Sequence, residues 1–305
     1  MTSNICGYSK LSQIIPKKYK SLYVGDVNVP QILESVINGI TVKVIDIKKT
    51  NLDLTRGYSV DNLRFLPACL AVDNSPAIDI YYHLVNGLKY LTKITGRLNF
   101  NEKDVLIAVF NIDKLENAYF NGEFFVFGNG GNSMKTLVSA DVVFHELTHM
   151  LCESICGLEY KGESGALNES FSDVLATGYE FYLNNPLDIP DFQIGEMIMK
   201  DQPFLRNMTI PRKYRDVEYV NPSNLDLDLG GVHINSAIPN YLFYKIVTEL
   251  GLDKMNELLG LWYRVYCRLP KNCSMLQFGE ILTEETPNKW INKIKGVLVS
   301  MDLKE

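Results

Sequence analysis

The chain has 305 residues and an acidic balance, with 30 Lys and Arg against 36 Asp and Glu and a formal net charge of −6. A nucleic-acid backbone requires a concentrated basic surface, so this balance excludes nucleic acid as the expected partner. With 46% hydrophobic residues and no run of the roughly 18 apolar residues that span a bilayer, the composition predicts an ordinary water-soluble globular protein without a membrane span. The length is sufficient for two lobes, each with its own core.

The first 38 residues alternate turns with one short amphipathic piece, Gln31 to Val36. The stretch from Met1 to Lys20 mixes polar and basic residues and lacks the continuous apolar core of a secretory signal peptide. We therefore expect either a cytoplasmic protein or one that is secreted by a leaderless route.

The sequence turns β-rich after this segment. β-Branched residues at near-alternating positions predict a strand from Ile40 to Ile47, and an apolar run predicts a buried strand from Val105 to Phe110. Ser75 followed by Pro76 supplies a cap and a first-turn proline, which predict the start of a helix. The stretch Tyr119 to Phe125 contains an Asn-Gly turn and predicts a hairpin. An edge strand here would offer unpaired backbone groups to an extended peptide.

Helical periodicity dominates the second half of the chain, and no internal repeat or low-complexity segment interrupts it. The order of the elements predicts a β-rich lobe followed by a mainly helical lobe. We predict helices at about residues 137–156, 165–183, 238–250, 253–267 and 289–302.

The sequence His145-Glu146-Leu147-Thr148-His149 lies within the first of these helices. Two histidines four positions apart lie one above the other on a helix face, so both imidazoles can reach one metal ion while Glu146 stands beside the open position. Such a short pattern also occurs by chance in many helices. Here it is supported by the scarcity of histidine, since the chain has only four. His83 falls in an apolar helical run, which indicates a packed or half-exposed helix residue.

A catalytic zinc requires three protein ligands and one position for water. The helix that follows carries Asn168, Glu169 and Asp173, and the last two are again four positions apart. Because they share a helix face, Glu169 can complete the metal site while Asp173 accepts a hydrogen bond from a ligand histidine.

Six cysteines are too few to indicate a disulfide scaffold. Cys267 and Cys273 flank a turn-like segment that a bridge would close in an oxidising compartment. For Cys152 and Cys156, on the histidine-bearing helix, we expect small buried apolar side chains.

Three separated blocks of sequence now stand in order. They comprise residues 117–122, residues 141–173 with the two histidines, Tyr160 and Glu169, and residues 230–236 with His233. In this order they closely resemble the thermolysin-like neutral metalloproteases (thermolysin and protealysin type), over roughly residues 39 to 305. The resemblance implies an α+β fold with two lobes and a zinc-binding helix between them. It also implies a zinc-dependent endopeptidase that acts on a peptide or protein substrate, and we expect a monomer.

The resemblance also implies roles for individual residues. His145, His149 and Glu169 would bind zinc, and Glu146 would act as the general base that takes the proton of the attacking water. Tyr160 and His233 would donate hydrogen bonds to the oxyanion. The histidines would be oriented by Asn168, Asp173 and Asp228. The substrate would be bound by Asn117, Ala118 and Arg206. An apolar pocket for the residue after the cleaved bond would be lined by Val142 and Leu205.

The same family pattern predicts that four carboxylates gather around a pair of calcium ions, because oxygen-only ligation suits this hard cation. Asp141, Glu180, Asp191 and Glu196 stand at the corresponding places, although three extra residues lie between the second and the third. The alternative to calcium binding is that these residues are four ordinary surface acids. For Arg206 the alternative is a surface ion pair.

Some positions depart from the family pattern. Phe144 replaces a small residue before the first histidine, Leu229 replaces a polar residue before Gly230, and the segment between Glu196 and Arg206 is short, which puts one further calcium loop in doubt. None of these changes removes a catalytic group.

The domain organisation that follows has three parts. We expect an N-terminal extension or short propeptide at 1–38, a β-rich lobe ending in the zinc helix at 39–159 and a helical lobe at 160–305. For the extension, removal and permanent packing are equally open. Two alternatives to a general endopeptidase with an apolar preference remain: a processing peptidase with a single client, and a non-catalytic zinc-containing binding or toxin module.

Overall fold

The structure is a computed structural model that describes residues 16–49, 60–97 and 104–304. Residues 1–15, which open the predicted N-terminal extension, lie outside the described residues. The fold is α+β, as predicted, with a β-rich first part and a helical second part.

A five-stranded mixed sheet organises the first part, in the strand order β3-β4-β5-β7-β6. β5 pairs in parallel with β4 and β7, while β3 and β6 pair antiparallel at the two edges. β4 and β5 are almost entirely buried, which accounts for their continuous apolar sequences. In the described ranges the strands are β1 (Lys17–Lys20), β2 (Asp26–Val29), β3 (Glu34–Ile37), β4 (Ile40–Asp46), β5 (Val105–Ile112), β6 (Ala118–Phe120), β7 (Phe125–Gly128), β8 (Gln193–Ile194) and β9 (Arg206–Asn207).

These strands confirm the predictions at 40–47 and 105–110, and β6 and β7 form the predicted hairpin. β6 is the edge strand on the side of the sheet that faces the zinc-motif helix. Its outer backbone groups are therefore placed where an extended ligand can pair with them.

A separate hairpin of β1 and β2 precedes the sheet. The turn between them is bound to Asp79, which accepts hydrogen bonds from Ser21 Oγ at 2.6 Å and from the backbone nitrogens of Leu22 and Tyr23 at 2.9 and 3.0 Å. The Tyr23 hydroxyl donates to the Thr136 carbonyl at 2.9 Å. Residues 16–29 thus pack as part of the β-rich lobe.

Helices make up most of the rest. The N-terminal end of α2 is the predicted one, with Ser75 as N-cap and Pro76 in the first turn, and the helix ends at Gly96 in the left-handed conformation. In the described ranges the helices are α1 (Val60–Arg64), α2 (Pro76–Thr95), α3 (Ala140–Ile155), α4 (Gly162–Leu183), α5 (Asp228–Asn235), α6 (Ala237–Leu250), α7 (Met255–Tyr266), α8 (Met275–Glu285) and α9 (Ile291–Ser300). None of them is long and apolar enough to cross a membrane.

Tight packing of α2, α3 and α4 fixes the position of the histidine motif. Phe144, the unusual bulky residue before His145, stacks on Tyr179 of α4 with ring centroids 4.4 Å apart. Gly87 of α2 leaves the necessary space, because a Cβ there would lie 2.8 Å from the rings or methyls of Phe144 and Leu147. The large side chain of Phe144 on α3 therefore fits because Gly87 on α2 has no side chain.

The cysteines in the described part of the chain are free thiols, including Cys267 and Cys273. Cys152 is buried, as predicted, whereas Cys156 is only partly buried. The two sulfurs lie 3.6 Å apart. His83 is also fully buried, and its Nδ1 lies 3.2 Å from the Tyr179 hydroxyl.

Candidate active site

One face of α3 forms the floor of a cleft of about 600 Å³. The hairpin of β6 and β7 borders one side, and residues of the helical part border the other. Because the cleft-lining residues of α3 recur at helical spacing, they form one continuous stripe along the cleft. They are Val142, His145, Glu146, His149 and Glu153.

His145, His149 and Glu169 meet at the centre of this floor. The two Nε2 atoms lie 2.9 Å apart, and the Glu169 carboxylate oxygens lie 3.5 Å from His145 Nε2 and 3.4 Å from His149 Nε2. These ligand atoms all fall within 4.8 Å of one another. Two imidazoles and one carboxylate at this separation fit a tetrahedral zinc with a fourth position left for water or substrate.

The electrostatics favour a positive charge at the same point. Burial alone would lower the pKa of His145, but the Asp173 and Glu169 carboxylates raise it to about 10. Burial alone would raise the pKa of Glu169, yet the neighbouring His145 and His149 hold it well below its usual value. Glu169 is therefore an ionised, buried carboxylate that requires a cationic partner.

Polar residues of α4 orient both histidines. His145 Nδ1 lies 2.9 Å from Asp173 Oδ1, and His149 Nδ1 lies 2.8 Å from Asn168 Oδ1. Contacts at Nδ1 leave each Nε2 to face the centre of the site. Ser172, which sequence reasoning did not name, places its hydroxyl 3.2 Å from His149 Nδ1.

Arg206 lines the cleft and pairs with Asp173. Its Nε and Nη2 donate to the two carboxylate oxygens at 2.7 and 2.6 Å, and Asn240 adds a third donor at 2.8 Å. The nearby positive charge of Arg206 and the contact with His145 overcome the effect of burial and lower the pKa of Asp173. The ion pair is thus an internal one, which differs from the surface pair weighed as the alternative for Arg206.

Glu146 stands beside the metal-ligand group without belonging to it. Its Oε2 accepts a hydrogen bond from the backbone nitrogen of Phe120 in β6 at 2.9 Å. Because this carboxylate lines the cleft, it is open to a water molecule or a substrate there. The contact also ties the edge strand to α3.

Tyr160 and His233 lie beside Glu169 and near each other. The Tyr160 hydroxyl donates to Glu169 Oε1 and lies 3.3 Å from His233 Nε2. Burial and the charge of Glu169 raise the pKa of Tyr160, so its hydroxyl remains a donor at ordinary pH. Both side chains line the cleft.

Asp228 fixes the position of His233 through an unusual backbone. Its Oδ1 lies 2.6 Å from His233 Nδ1, and its Oδ2 accepts from the His233 backbone nitrogen at 2.8 Å. Asp228, Leu229, Gly230 and Gly231 all have positive φ, which makes a short left-handed turn. Gly230 and Gly231 adopt positive φ without steric cost, and the contact between Asp228 and His233 helps to hold Asp228 and Leu229 in the same conformation.

The predicted pocket residues Val142 and Leu205 both line the cleft, as do Asn117 and Ala118. Ala118 packs against the apolar cluster that contains Val142. Sequence reasoning missed further apolar lining residues. They belong to irregular segments or a two-residue strand, where no periodicity indicates that they meet. These residues are Leu137, Ile194 and Ile198.

Three of the four predicted calcium carboxylates lie close together, and none of the four lines the cleft. Asp141, Glu180 and Glu196 bring their oxygens within 4.8 Å of one another. Asp191 is outside that group of three, and its Oδ1 accepts from the Gln193 backbone at 2.6 Å.

A further carboxylate, which sequence reasoning missed, interacts electrostatically with this cluster. Asp188 is buried at 8% exposure, and burial followed by the charges of Asp141 and Asp191 raises its pKa to about 6. Burial and neighbouring carboxylates, Asp141 first, also raise the pKa of Glu180, and they raise that of Glu196 to about 8. Neither Glu180 oxygen has a hydrogen-bond partner. The donor set of carboxylate oxygens fits calcium.

Comparison with known proteins identifies the class to which this fold and site belong. The family model described as thermolysin metallopeptidase, catalytic domain, matches residues 34–153. The model described as thermolysin metallopeptidase, alpha-helical domain, matches residues 156–289. The chain belongs to the thermolysin metallopeptidase family.

Individual relatives are similar over much of the chain. Bacillolysin from Bacillus amyloliquefaciens is 35% identical over 197 residues, which cover 62% of this chain and 36% of that protein. Thermolysin from Alicyclobacillus acidocaldarius subsp. acidocaldarius is 33% identical over 257 residues, which cover 74% of this chain and 46% of that protein. The matched region thus spans less than half the length of these two relatives.

The fold is also that of a solved structure, described as a precursor of protealysin, a metalloproteinase from Serratia proteamaculans. The two chains align with a TM-score of 0.71 over 88% of this chain and 89% of that chain, at 24% identity. At this identity the likeness concerns the fold.

Proposed function

We propose that this protein is a zinc-dependent endopeptidase. One observation carries the proposal: a carboxylate outside the ligand set, Glu146, shares the cleft floor with His145, His149 and Glu169. A structural zinc site is usually closed by four protein ligands, whereas this one has three and opens into the cleft. Family membership and the family relatives' names support the same activity.

Glu146 would serve as the general base of the reaction. A zinc ion held by His145, His149 and Glu169 would polarise the scissile carbonyl and lower the pKa of water, which is the chemistry the metal supplies. Glu146 Oε2 would take the proton of the attacking water and then deliver it to the leaving amine. The hydrogen bond from the Phe120 backbone holds the carboxylate in place while it does so.

Tyr160 and His233 would stabilise the negative charge that develops on the carbonyl oxygen. Both side chains line the cleft, with the Tyr160 hydroxyl 3.3 Å from His233 Nε2. Asp228 holds His233 Nδ1 at 2.6 Å, so Nε2 is the nitrogen that faces the substrate. Preorganised donors of this kind contribute about 3 kcal/mol each to transition-state stabilisation.

The substrate would lie as an extended peptide along β6. Ala118 and Asn117 present backbone and amide groups to the cleft, and the apolar pocket of Val142 and Leu205 lies at one end of the α3 stripe. Burying an apolar side chain there stabilises the complex by about 2 kcal/mol. We therefore propose cleavage before Leu, Phe, Ile or Val. In this arrangement Arg206, which is held by Asp173, would contact the substrate carbonyl that follows the cleaved bond.

Two further features belong to this proposal. The acidic cluster of Asp141, Glu180 and Glu196, with Asp188 and Asp191 beside it, would bind calcium. Any restraining propeptide would end before Pro16, because residues 16–29 pack in the β-rich lobe through Asp79.

The proposal is tested by incubating the protein with a mixed peptide library. We expect cleavage at many sites before apolar residues, loss of cleavage with a zinc chelator and its return with added zinc. Glu146→Gln should keep one zinc per chain and lose most turnover, because the ligands are unchanged while the base is gone. A single cut site would instead favour a processing peptidase, and zinc without any cleavage would favour a binding module.

A further inference from the structure

The cleft-lining stripe of α3 continues past the second histidine to Glu153. An α-helix rises about 1.5 Å per residue, so Val142 and Glu153 lie about 16 Å apart along the axis, with His145 and His149 between them. The apolar pocket and Glu153 therefore lie on opposite sides of the metal-ligand group. If the pocket receives the residue after the scissile bond, Glu153 faces the residues before it.

The Glu153 carboxylate spans from α3 towards the hairpin. Both of its oxygens lie 3.9 Å from the place that a Cβ on Gly122 would occupy. Gly122 follows β6 in the chain, so the carboxylate stands at the far end of the edge strand. A peptide paired with β6 would pass beside this carboxylate.

The carboxylate is available to a ligand. In the part of the chain that the structure describes, Glu153 forms no salt bridge, and its side chain is exposed. Lys161 pairs with Glu159 at 2.9 Å. The Lys271 Cε atom lies 3.7 Å from the point that a Cβ on Gly157 would occupy, and Lys271 forms no salt bridge with Glu153. The Glu153 carboxylate therefore lines the cleft without an ion-pair partner among the described residues.

Helix stability does not explain this acid. α3 ends at Ile155 and has no basic residue in its last turn. The C-terminus of a helix carries a partial negative charge, so a carboxylate in the last turn is unfavourable there. A position that is electrostatically unfavourable for the helix and opens into the substrate cleft indicates a binding role.

We propose that Glu153 is a specificity-determining residue that selects substrates with Lys or Arg two or three residues before the scissile bond. This proposal rests on the endopeptidase function proposed above. Glu153 lies about 9 Å along the axis from the midpoint of the two histidines, which is the length of two to three residues of extended peptide at about 3.3 Å each. The substrate class is a peptide that combines a basic residue on this side with an apolar residue after the bond.

Quenched fluorescent peptides that differ only in Lys, Gln or Glu at the second or third position before a scissile Leu test the proposal. At one of these positions the wild type should cleave the Lys peptide with a kcat/KM about threefold above the Gln peptide, the size typical of an exposed ion pair. The preference should disappear in Glu153→Gln and reverse to favour Glu in Glu153→Lys. It should weaken at about 0.5 M salt, where exposed charges are screened.

Glu159→Gln is the matched control, since it removes a neighbouring acid that does not line the cleft. This variant should keep the Lys preference. Equal rates for the three wild-type peptides at both positions, or a Lys preference that survives in Glu153→Gln, would overturn the proposal.

Peptide binding separates this proposal from the endopeptidase function. Fluorescence anisotropy with labelled peptides on the Glu146→Gln variant should give the same order, with Lys bound more tightly than Gln and Gln more tightly than Glu. If the wild type cleaved nothing but this order held, the endopeptidase function alone would fail. Equal binding of the three peptides would refute the role of Glu153 whether or not cleavage occurs.

Discussion

Arg206 binds Asp173 through two parallel hydrogen bonds, from Nε to Oδ2 at 2.7 Å and from Nη2 to Oδ1 at 2.6 Å. Asp173 Oδ1 also lies 2.9 Å from His145 Nδ1. The cleft-lining Arg206 is therefore linked through one buried carboxylate to a histidine of the candidate metal site. A change at Arg206 should alter metal binding as well as substrate binding.

The first prediction is that Arg206→Lys weakens zinc binding. A lysine supplies one point of charge and cannot reproduce the planar two-point contact, so Asp173 loses its fixed orientation. Removing an outer partner of a metal ligand typically lowers metal affinity about 10- to 100-fold. Competition with a chromophoric zinc chelator measures this affinity directly.

The control for this change is Arg264→Lys, which alters an arginine with 51% side-chain exposure in α7. Its zinc affinity should equal that of the wild type. If Arg206→Lys also bound zinc with wild-type affinity and changed only KM, Arg206 would act on the substrate alone.

The second prediction concerns the third ligand. Glu169→Ala should lose zinc during dialysis, because two imidazoles remain and the buried negative charge between them is gone. Elemental analysis gives the metal content. Glu159→Ala serves as the control, since its carboxylate pairs with Lys161 on the surface. A full equivalent of tightly bound zinc in Glu169→Ala would identify another residue as the ligand.

Sequence alone predicted the parts of this protein that are encoded locally. His145 and His149 share a helix face by spacing, and Ser75 with Pro76 marks the N-terminal end of α2. Helix α8 was missed although its capping box of Ser274 and Gln277 is visible in the sequence.

Other features depend on tertiary structure. Leu137 and Ile198 reach the apolar pocket from irregular segments, so no period connects them. The left-handed turn that carries Asp228 also has no signal before Gly230, since Asp228 and Leu229 are not glycines. The tertiary fold buries Asp188 near Asp141 and Asp191, and residue spacing does not indicate this proximity.

The third prediction concerns acid stability and His83. Burial lowers the pKa of this histidine to about 3, from an ordinary value near 6.5. Because the unfolded chain takes up the proton first, the stabilising effect of neutral His83 is complete above about pH 6.5 and is lost as the pH falls towards 3. The loss should be about 3 kcal/mol between pH 7 and pH 4.

Urea unfolding at several pH values measures this dependence for the wild type and His83→Gln. The variant is expected to be less stable at pH 7 and to show a shallower decline below pH 6.5. Parallel curves for the two proteins would show that another group causes the acid sensitivity.

The fourth prediction is that the N-terminal segment restrains activity until it is cut before Pro16. The bonds from Ser21, Leu22 and Tyr23 to Asp79 hold the following residues in the fold. Mass spectrometry of fresh and aged protein locates the cut, and peptide assays report activity before and after it. An intact chain that is already fully active would make the segment a plain structural extension, and an active product that begins after residue 38 would refute the proposed boundary.

The last prediction is that calcium stabilises the fold through the acidic cluster. Asp141 begins α3 and Glu180 lies near the end of α4, so an ion between their carboxylates would connect the zinc helix to the helical part. Glu180 and Glu196 carry buried oxygens without hydrogen-bond partners, which makes the cluster unfavourable unless a cation or protons neutralise it. An ion that binds only the folded state at about 100 times its Kd adds about 2.7 kcal/mol. For a chain of this size that raises Tm by roughly 4 °C. Melting curves with calcium and with a weak calcium-selective chelator measure the shift. Glu180→Gln should abolish this shift. The control Glu249→Gln, which changes an exposed acid, should retain it. An unchanged midpoint in the wild type, with no calcium found by elemental analysis, would show that these carboxylates are neutralised by protons instead.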